Sequence, residues 1–107
     1  MGRVIVITGS TRGIGFGLAT EFLKLGHKVV FNGTTEASLS KSLLKLNEFS
    51  SQLIGVPGDV TELSTHQQLF NAAIEKFGKV DIWINNAGIS TSNKLAVALD
   101  KSEIIRL

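Results

Sequence analysis

The sequence predicts an α/β protein with a doubly wound parallel sheet of about four strands and flanking helices. Two observations carry this prediction. Short apolar runs alternate with longer stretches of helical periodicity, and a glycine-rich loop stands between the first run and the first helix. Such alternation is typical of strand–helix–strand units, whose strands are parallel. The chain has 107 residues, of which 43% are apolar, which suits one domain with a modest core.

The first half of the chain is predicted to contain two strands and two helices. Val4 to Thr8 is the first strand, and the helix after it follows an apolar stripe that Gly26 ends: Ile14, Leu18, Phe22 and Leu25. Lys28 to Asn32 is the second strand. Asn32-Gly33 could form a hairpin turn, but no alternating strand follows it. A helical stretch from Thr35 to about Asn47 is therefore predicted.

The second half is predicted to add two strands and one further long helix. The third strand contains Leu53, Ile54 and Val56 and closes at Pro57-Gly58. The next helix runs from about Glu62 to Phe77 and ends at Gly78. Its predicted apolar side consists of Leu63, Leu69, Phe70, Ala73, Ile74 and Phe77. Val80 to Ile84 is the fourth strand, apolar on both faces as a buried parallel strand should be.

The last twenty residues are predicted to form a loose segment and the start of a helix. The segment from Gly88 to Leu99 shows no clear pattern. Asp100 to Glu103 resembles a helix capping box with Asp in place of Ser or Thr. Ile104, Ile105 and Leu107 would then begin an apolar helix that stops after two turns. Because a natural domain seldom ends within a helix, we expect the chain to be truncated relative to a full domain.

The loop from Thr8 to Gly15 is a candidate phosphate site. Backbone N–H groups at the start of a helix lack intrahelical partners, and the helix dipole adds partial positive charge there. Glycine at Gly9, Gly13 and Gly15 would permit a tight turn, a close approach of pyrophosphate and close helix packing. Gly17 adds a fourth glycine, which suggests steric need. The alternative is an ordinary strand-to-helix turn.

Composition argues against several other classes of protein. The chain has no cysteine, so a disulfide framework and a thiolate zinc site are excluded. His27 and His66 are not at metal spacing and are expected at the surface, so no metal is predicted. No apolar stretch is long enough for a membrane span, and no secretory signal precedes Val4, which predicts a cytoplasmic protein. A net charge of +2 without a basic cluster argues against nucleic-acid binding.

Four stretches together resemble the short-chain dehydrogenase/reductase family, whose fold is of the Rossmann type. They are the TGxxxGIG-like loop Thr8 to Gly15, the Gly58-Asp59-Val60-Thr61 stretch, the Phe77 to Asp81 lead-in and Asn85-Asn86-Ala87-Gly88. The resemblance covers essentially the whole chain. It implies the strand order 3-2-1-4 and makes residues 1–107 the N-terminal part of an NAD(P)-binding Rossmann domain.

The resemblance also implies roles for individual residues. Those of the glycine loop would line the pyrophosphate and adenosine side of the cofactor: Gly9, Ser10, Arg12, Gly13, Ile14 and Gly15. Asp59 would accept a hydrogen bond from the adenine amino group, and the Val60 backbone would complete the base contact. Alternatively, Asp59 could cap the following helix, although Thr61 is the better cap candidate. A purely structural role is also open for Asn85.

Asn86, Ala87 and Gly88 are expected beside the glycine loop. There the Asn86 amide can bond the strand backbone, and a small surface lets the nicotinamide ribose approach. No catalytic residue is assigned, because the tyrosine, lysine and serine of the family reaction belong to a segment that cannot be mapped here. The chain contains no tyrosine at all. We therefore expect no turnover from this chain alone.

The predicted cofactor is NADP(H) rather than NAD(H). An NAD-selective site places Asp or Glu near the end of the second strand, where the acid binds the ribose hydroxyls and repels a 2′-phosphate. Here that strand ends in Asn32-Gly33-Thr34, and the first acid is Glu36, which is expected in the next helix. Arg12 projects from the glycine loop, where a guanidinium can bind phosphate. An Arg at position 34, common in NADP-using relatives, is missing.

Two functions of different class remain open from the sequence. The first is an oxidoreductase, of which this chain is the cofactor-binding half. The second is a stand-alone nucleotide-binding or interaction module without catalysis. In the family order, truncation would leave the fourth strand as an exposed apolar edge. We therefore expect the chain to associate with a second copy through that strand.

Overall fold

The computed structural model describes residues 2–86 and the backbone of residues 96–99 and 103–106. Strands and helices alternate along the chain. The elements are β1 (Val4–Ile7), α1 (Gly13–Lys24), β2 (Lys28–Gly33), α2 (Glu36–Leu44), a 3₁₀ helix (Asn47–Gln52), β3 (Leu53–Pro57), α3 (Leu63–Phe77), β4 (Ile82–Asn85), β5 (Ala96–Leu99) and β6 (Glu103–Arg106). The predicted bounds of the first four strands and of α1 and α3 agree with these within about two residues. The helix expected to reach Asn47 ends at Leu44 and is followed by the 3₁₀ helix.

The first four strands form a parallel sheet in the order β3-β2-β1-β4, as predicted. The central strand is β1, in which Val6 lies between Val30 of β2 and Trp83 of β4. Because β1 and β2 are parallel, the hairpin alternative at Asn32-Gly33 is excluded. The carboxyl ends of all four strands lie at one edge of the sheet, which is where ligands bind in folds of this kind.

The prediction for the C-terminal residues was wrong. Residues 96–99 and 103–106 are two short strands, and the order continues as β4-β5-β6 with antiparallel pairing. The expected helix beginning near Asp100 is therefore a strand at Glu103–Arg106. β-Branched residues such as Ile104 and Ile105 favour strands over helices, and a helix of two turns has little stability of its own.

The fourth strand is consequently not an exposed edge. β4 pairs with β1 on one side and with β5 on the other. Backbone groups that a lone parallel edge would leave for a second copy are used within the chain. The argument for self-association through the fourth strand, which assumed an unpaired edge, therefore no longer holds.

The core has two layers, one on each face of the sheet. All four residues of β1 are buried, and successive side chains point to opposite faces. Ile5 and Ile7 pack under α1 and α2, together with Leu23 and Phe31. Val4 and Val6 pack under α3 in the second layer. The central strand thus contributes to both layers, which accounts for its uninterrupted apolar run.

The apolar stripes predicted for the two long helices are confirmed only in part, since Leu18, Phe22, Leu69, Ala73 and Phe77 contact the core while other members are exposed. The buried residues of α1 are Gly15, Ala19 and Leu23, whereas Ile14 is 55% exposed and Leu25 is 71% exposed. The buried residues of α3 are Thr65, Leu69 and Ala73, whereas Leu63 is 84% exposed. Small residues at these contacts let the helix axes approach the sheet closely. The predicted helix ends at Gly26 and Gly78 are confirmed by their positive φ angles of 90° and 85°.

Candidate functional site

The glycine loop after β1 is held in place by hydrogen bonds to two neighbouring strands. Gly9 has a φ of 60°, a left-handed conformation that favours glycine. Its N–H donates to Asn32 Oδ1 at 3.0 Å, and its carbonyl accepts from Asn86 Nδ2 at 3.0 Å. The ends of β2 and β4 therefore fix the loop from both sides. Asn86 lies beside the glycine loop, as predicted.

Ser10 faces the protein interior rather than the open side of the loop. Its hydroxyl donates to the Ile7 carbonyl at 2.8 Å and accepts from the Asn32 N–H at 2.9 Å. Its own N–H donates to the Asn32 carbonyl at 2.8 Å. The Ser10 side chain is fully buried. Its hydroxyl thus joins β1 to β2 and supports the loop from the inside. The position of Ser10 along the pyrophosphate stays a prediction.

Gly15 is required by close packing, as the sequence predicted. A Cβ atom built on Gly15 would lie 2.6 Å from Asn86 Nδ2 and 2.6 Å from the Gly9 carbonyl oxygen. Both of these atoms belong to the hydrogen bond that closes the loop against β4. Gly17, in contrast, has nothing within 4 Å of its would-be Cβ, so the prediction that steric need explains this fourth glycine was wrong.

The outer side of the loop is open and suits an anion. Arg12 is the N-cap residue of α1, its side chain is exposed, and it forms no side-chain capping bond. Gly13 has a φ of 62° and open space around its would-be Cβ, while Ile14 is exposed. No acidic residue stands in the first turn of α1. The N–H groups at this helix start therefore remain for a phosphate, together with the helix dipole.

The start of α2 is arranged differently. Thr35 is its N-cap residue, and Thr35 Oγ1 accepts from the Ser38 N–H at 3.1 Å. Glu36 stands in the first turn, as expected, where it complements the helix dipole. The start of α2 is therefore capped by the Thr35 side chain, and its dipole is complemented by Glu36. Of the two helix starts, the uncapped start of α1 is therefore the better fit for the phosphates of a dinucleotide.

Asn32 is a functional residue that the sequence analysis missed. Its side chain is buried at the end of β2, where Nδ2 donates to the carbonyls of Val56 and Gly58 at 3.2 Å each. Its Oδ1 accepts from the Gly9 N–H. One amide thus connects the glycine loop to the segment that follows β3. The available signal was a polar residue at the end of the apolar run Val29 to Phe31.

Asp59 follows β3 and closes a tight turn. Its carboxylate accepts from the Thr61 N–H at 2.8 Å and from the Thr61 hydroxyl at 2.7 Å. These bonds lower the pKa of Asp59 below its ordinary value. The N-cap residue of α3 is Glu62, which makes no side-chain capping bond. The capping alternatives for Asp59 and Thr61 were therefore wrong, and the exposed Asp59 carboxylate stays ionised at the ligand edge of the sheet.

Val60 is linked to β4 through two aromatic side chains. Its carbonyl lies 2.8 Å from His66 Nε2, and the His66 ring stacks on Trp83 with centroids 6.0 Å apart. Trp83 Nε1 in turn donates to Asn85 Oδ1 at 2.9 Å. Asn85 therefore makes a structural contact, which favours the structural role that the sequence analysis left open. His66 is half-buried rather than a surface residue.

His27, the second histidine, is also structural. Its Nδ1 accepts from the Arg3 N–H at 3.0 Å, at the edge of the sheet opposite the glycine loop. Within residues 2–86, no group of three or more His, Asp or Glu side chains could hold a metal ion. No helix in the described part of the chain is long and apolar enough to cross a bilayer. Ala87 and Gly88, the last two predicted site residues, lie outside the described residues.

The fold and the site define a dinucleotide-binding α/β domain. The model of the short chain dehydrogenase family matches residues 3–107. The chain therefore belongs to the short-chain dehydrogenase family.

Two curated dehydrogenases are similar to this chain over most of its length. The chain is 34% identical over 92 residues to L-rhamnose-1-dehydrogenase of Scheffersomyces stipitis, an alignment that covers 82% of this chain and 36% of that protein. A 3beta-hydroxysteroid dehydrogenase 1 of Eggerthella lenta is 36% identical and is likewise covered over 36% of its length. The chain thus spans about a third of the length of these curated relatives.

Solved structures with the same fold contain both forms of the cofactor. L-Sorbose reductase of Gluconobacter frateurii, complexed with NADPH and L-sorbose, superposes with a TM-score of 0.75 at 32% identity, covering 82% of this chain and 34% of that chain. A short chain dehydrogenase/reductase of Burkholderia phymatum in complex with NAD gives a TM-score of 0.69 at 38% identity, covering 75% and 28%. The family relationship therefore supports NAD(P) binding without distinguishing the two cofactors.

Proposed function

We propose that this chain is the NADP(H)-binding half of a short-chain dehydrogenase/reductase. When bound, the nicotinamide cofactor supplies hydride transfer to or from a carbonyl or alcohol in the complete enzyme. This chain's own residues would bind and orient the cofactor. The observation that carries the proposal is the start of α1, where no side chain caps the backbone N–H groups and the N-cap residue Arg12 is exposed.

The arrangement around the loop supports a cofactor that extends along the ligand edge of the sheet. Gly9, Gly13 and Gly15 would admit the pyrophosphate at α1, while Asn32 and Ser10 keep the loop in register with β2. Asp59 and Val60 would bind the adenine beyond β3. Asn86 would border the nicotinamide ribose beyond β4, together with Ala87 and Gly88. These contacts follow the roles that the family resemblance implies.

The preference for NADP(H) is supported by charge. β2 ends in Gly33, Thr34 is exposed beyond it, and the first acid, Glu36, lies in the first turn of α2. No carboxylate therefore stands at the end of β2 to repel a 2′-phosphate. Arg12 supplies a guanidinium at the neighbouring helix start, which can form charge-assisted bonds to a phosphate.

Binding measured by calorimetry tests this proposal. We expect the chain to bind NADP⁺ at least about tenfold more tightly than NAD⁺, because one charge-assisted phosphate contact is worth about 1.4 kcal/mol or more. Arg12→Gln should remove most of this preference and leave the affinity for NAD⁺ nearly unchanged. Arg3→Gln is the matched control, since Arg3 is exposed at the opposite edge of the sheet. Equal affinities for the two cofactors at physiological salt would refute the preference.

We further propose that the chain does not catalyse the family reaction by itself. Proton transfer in that reaction relies on a tyrosine, and the sequence contains none. Incubation with NADPH and simple aldehydes or ketones should therefore show no oxidation above the rate without protein. Measurable NADPH oxidation that disappears in Arg12→Gln would contradict this expectation. The cytoplasmic location stays a prediction.

A further inference from the structure

The end of β2 contains a close contact between the glycine loop and a glycine. Gly33 is the last residue of β2 and is buried, and Thr11 lies against it. A Cβ atom built on Gly33 would lie 2.5 Å from Thr11 Cγ2 and 3.3 Å from Ser38 Oγ. In real proteins a Cβ atom essentially never approaches within 3.0 Å of a heavy atom outside its own residue and its two chain neighbours. Any side chain at residue 33 therefore requires Thr11 to move.

Thr11 has little freedom to move away. Its carbonyl accepts from Ser42 Oγ at 2.6 Å, which ties the loop to α2. The preceding residue, Ser10, is bound to β2 through both its N–H and its hydroxyl. Threonine is also β-branched, so few side-chain rotamers are open to it. The backbone at residue 11 is thus fixed on both sides. The methyl group of the Thr11 side chain occupies the space beside Gly33.

The space beside Gly33 affects which dinucleotide can bind. In dinucleotide-binding α/β domains, an Asp or Glu about 20 residues beyond the glycine loop binds the ribose hydroxyls of NAD. Gly33 stands at this distance and ends the second strand. The φ angle of Gly33 is not positive, so the backbone itself would accept a side chain. The obstacle to an acid at residue 33 is therefore the Thr11 methyl group.

We propose that the methyl group of Thr11 is a specificity-determining group that keeps an acid from the end of β2 by filling the space beside Gly33. This inference rests on the proposed function, because it concerns which dinucleotide binds. It implies that Gly33→Asp alone cannot create an NAD site. Thr11→Ser removes only the methyl group and keeps the hydroxyl, whose oxygen lies 3.5 Å from the would-be Cβ, an ordinary contact.

The first experiment measures NADP⁺ and NAD⁺ affinity by calorimetry for Gly33→Asp, Thr11→Ser and the double variant. Gly33→Asp alone should lose at least about tenfold in NADP⁺ affinity without gaining NAD⁺ affinity. The double variant should bind NAD⁺ at least about tenfold more tightly than NADP⁺. NAD⁺ binding by Gly33→Asp alone that equals binding by the double variant would overturn the inference.

The second experiment tests the packing without any cofactor. Gly33→Ala should lower the Tm by about 5 °C or more, as expected for an overpacked contact in a small domain. Thr11→Ser should restore most of this loss when the two changes are combined. Gly17→Ala is the matched control, since nothing lies within 4 Å of its would-be Cβ, and its effect should not depend on Thr11. An equal loss from Gly33→Ala in both backgrounds would overturn the inference.

The two experiments separate this inference from the proposed function. If the unsubstituted chain bound neither dinucleotide, the proposed function would fail, and the proposed role in selectivity would fail with it, even if the stability cycle showed the predicted coupling. If the unsubstituted chain bound NADP⁺ and Gly33→Asp alone bound NAD⁺ well, the proposed function would stand, and only the role of Thr11 would be refuted.

Discussion

A single buried amide, that of Asn32, organises the ligand edge of the sheet. It accepts from the Gly9 N–H and donates to the Val56 and Gly58 carbonyls, so it contacts the segments after β1 and β3 at once. Buried polar groups of this kind are costly to leave unpaired. The geometry of the ligand edge therefore depends on Asn32, a residue that would not itself touch the cofactor's phosphates.

Asn32→Ala should lower the free energy of unfolding by about 2–4 kcal/mol, because it removes the partner of one N–H and of two carbonyl groups. Urea denaturation measures this change. Asn71→Ala is the control, since Asn71 is exposed on α3 and its side chain accepts from Gln67 Nε2 one turn away on the same helix. It should change the stability by no more than about 0.5 kcal/mol. If Asn32→Ala also lowered the free energy of unfolding by no more than about 0.5 kcal/mol, the hydrogen bonds of the Asn32 amide would contribute little to stability.

Gly15→Ala should also destabilise the chain, by about 1–3 kcal/mol, since the added Cβ overlaps Asn86 Nδ2 and the Gly9 carbonyl. Gly17→Ala, two residues further along α1, adds the same atom into open space. It should stabilise the chain by up to about 1 kcal/mol through helix propensity. Urea denaturation of the pair compares the two effects. Opposite signs are expected, and equal signs would argue against the packing described for Gly15.

At the scale of elements, β1 and β4 are joined at their starts by an ionised side chain. The Val4 N–H donates to Asp81 Oδ2 at 2.8 Å, and the Asp81 N–H donates to the Val4 carbonyl at 2.9 Å. This backbone hydrogen bond to the carboxylate is the main cause that lowers the pKa of Asp81, and Lys79, 3.1 Å away, lowers it further. The carboxylate thus helps to set the register of two parallel strands.

This pairing predicts how stability depends on pH. A carboxyl whose pKa is lower in the folded state stabilises the fold above its unfolded pKa of about 3.9. That contribution is lost as the pH falls through the lower, folded pKa. Asp81→Asn keeps an acceptor but removes the charge, so the variant should lose less stability than the parent chain between pH 6 and acidic pH.

Chemical denaturation at several pH values measures the difference between the two chains. Glu75→Gln is the control, because Glu75 is an acidic residue whose side chain is exposed on α3. Its pH profile should match that of the parent chain. Parallel profiles for Asp81→Asn and the parent chain would contradict a stabilising role for the carboxylate.

The helices illustrate why local patterns can predict the right element and yet misplace some of its buried residues. The stripe of large apolar residues in α1 includes Ile14, which is exposed, whereas Gly15 and Ala19 make the buried contact. Large side chains predict a buried stripe only where the partner surface leaves room for them. At α1 the partner is the glycine loop and β4, which leave no room for a Cβ at residue 15.

At the scale of the whole molecule, β5 and β6 extend the parallel sheet with two antiparallel strands. They give β4 a partner on its second side, and an unpaired parallel edge would otherwise be open to other chains. The sequence analysis predicted that β4 pairs with a second copy, whereas β4 pairs with β5 of the same chain. β3 and β6 stand at the two ends of the described sheet.

Removal of the residues after 95 should therefore promote association, because it exposes the edge of β4. Light scattering over a wide concentration range, applied to the shortened chain and to the full 107 residues, measures this effect. The shortened chain should form dimers or aggregates at concentrations where the full chain shows a smaller mean mass. The same mass for both chains at every concentration would show that β5 does not protect β4.

The parallel strand order 3-2-1-4 was implied by the family resemblance and is confirmed by the sheet. The sequence by itself determined the alternation of strands and helices, the glycine loop and the helix ends at Gly26 and Gly78. These depend on short-range rules, since apolar runs, turn residues and motif order are all read along the chain. Only the tertiary structure decided that Ser10 and Asn32 support the loop, that Thr11 covers Gly33 and that β5 pairs with β4. Those features join residues distant in sequence, and their energies depend on contacts that no local pattern encodes.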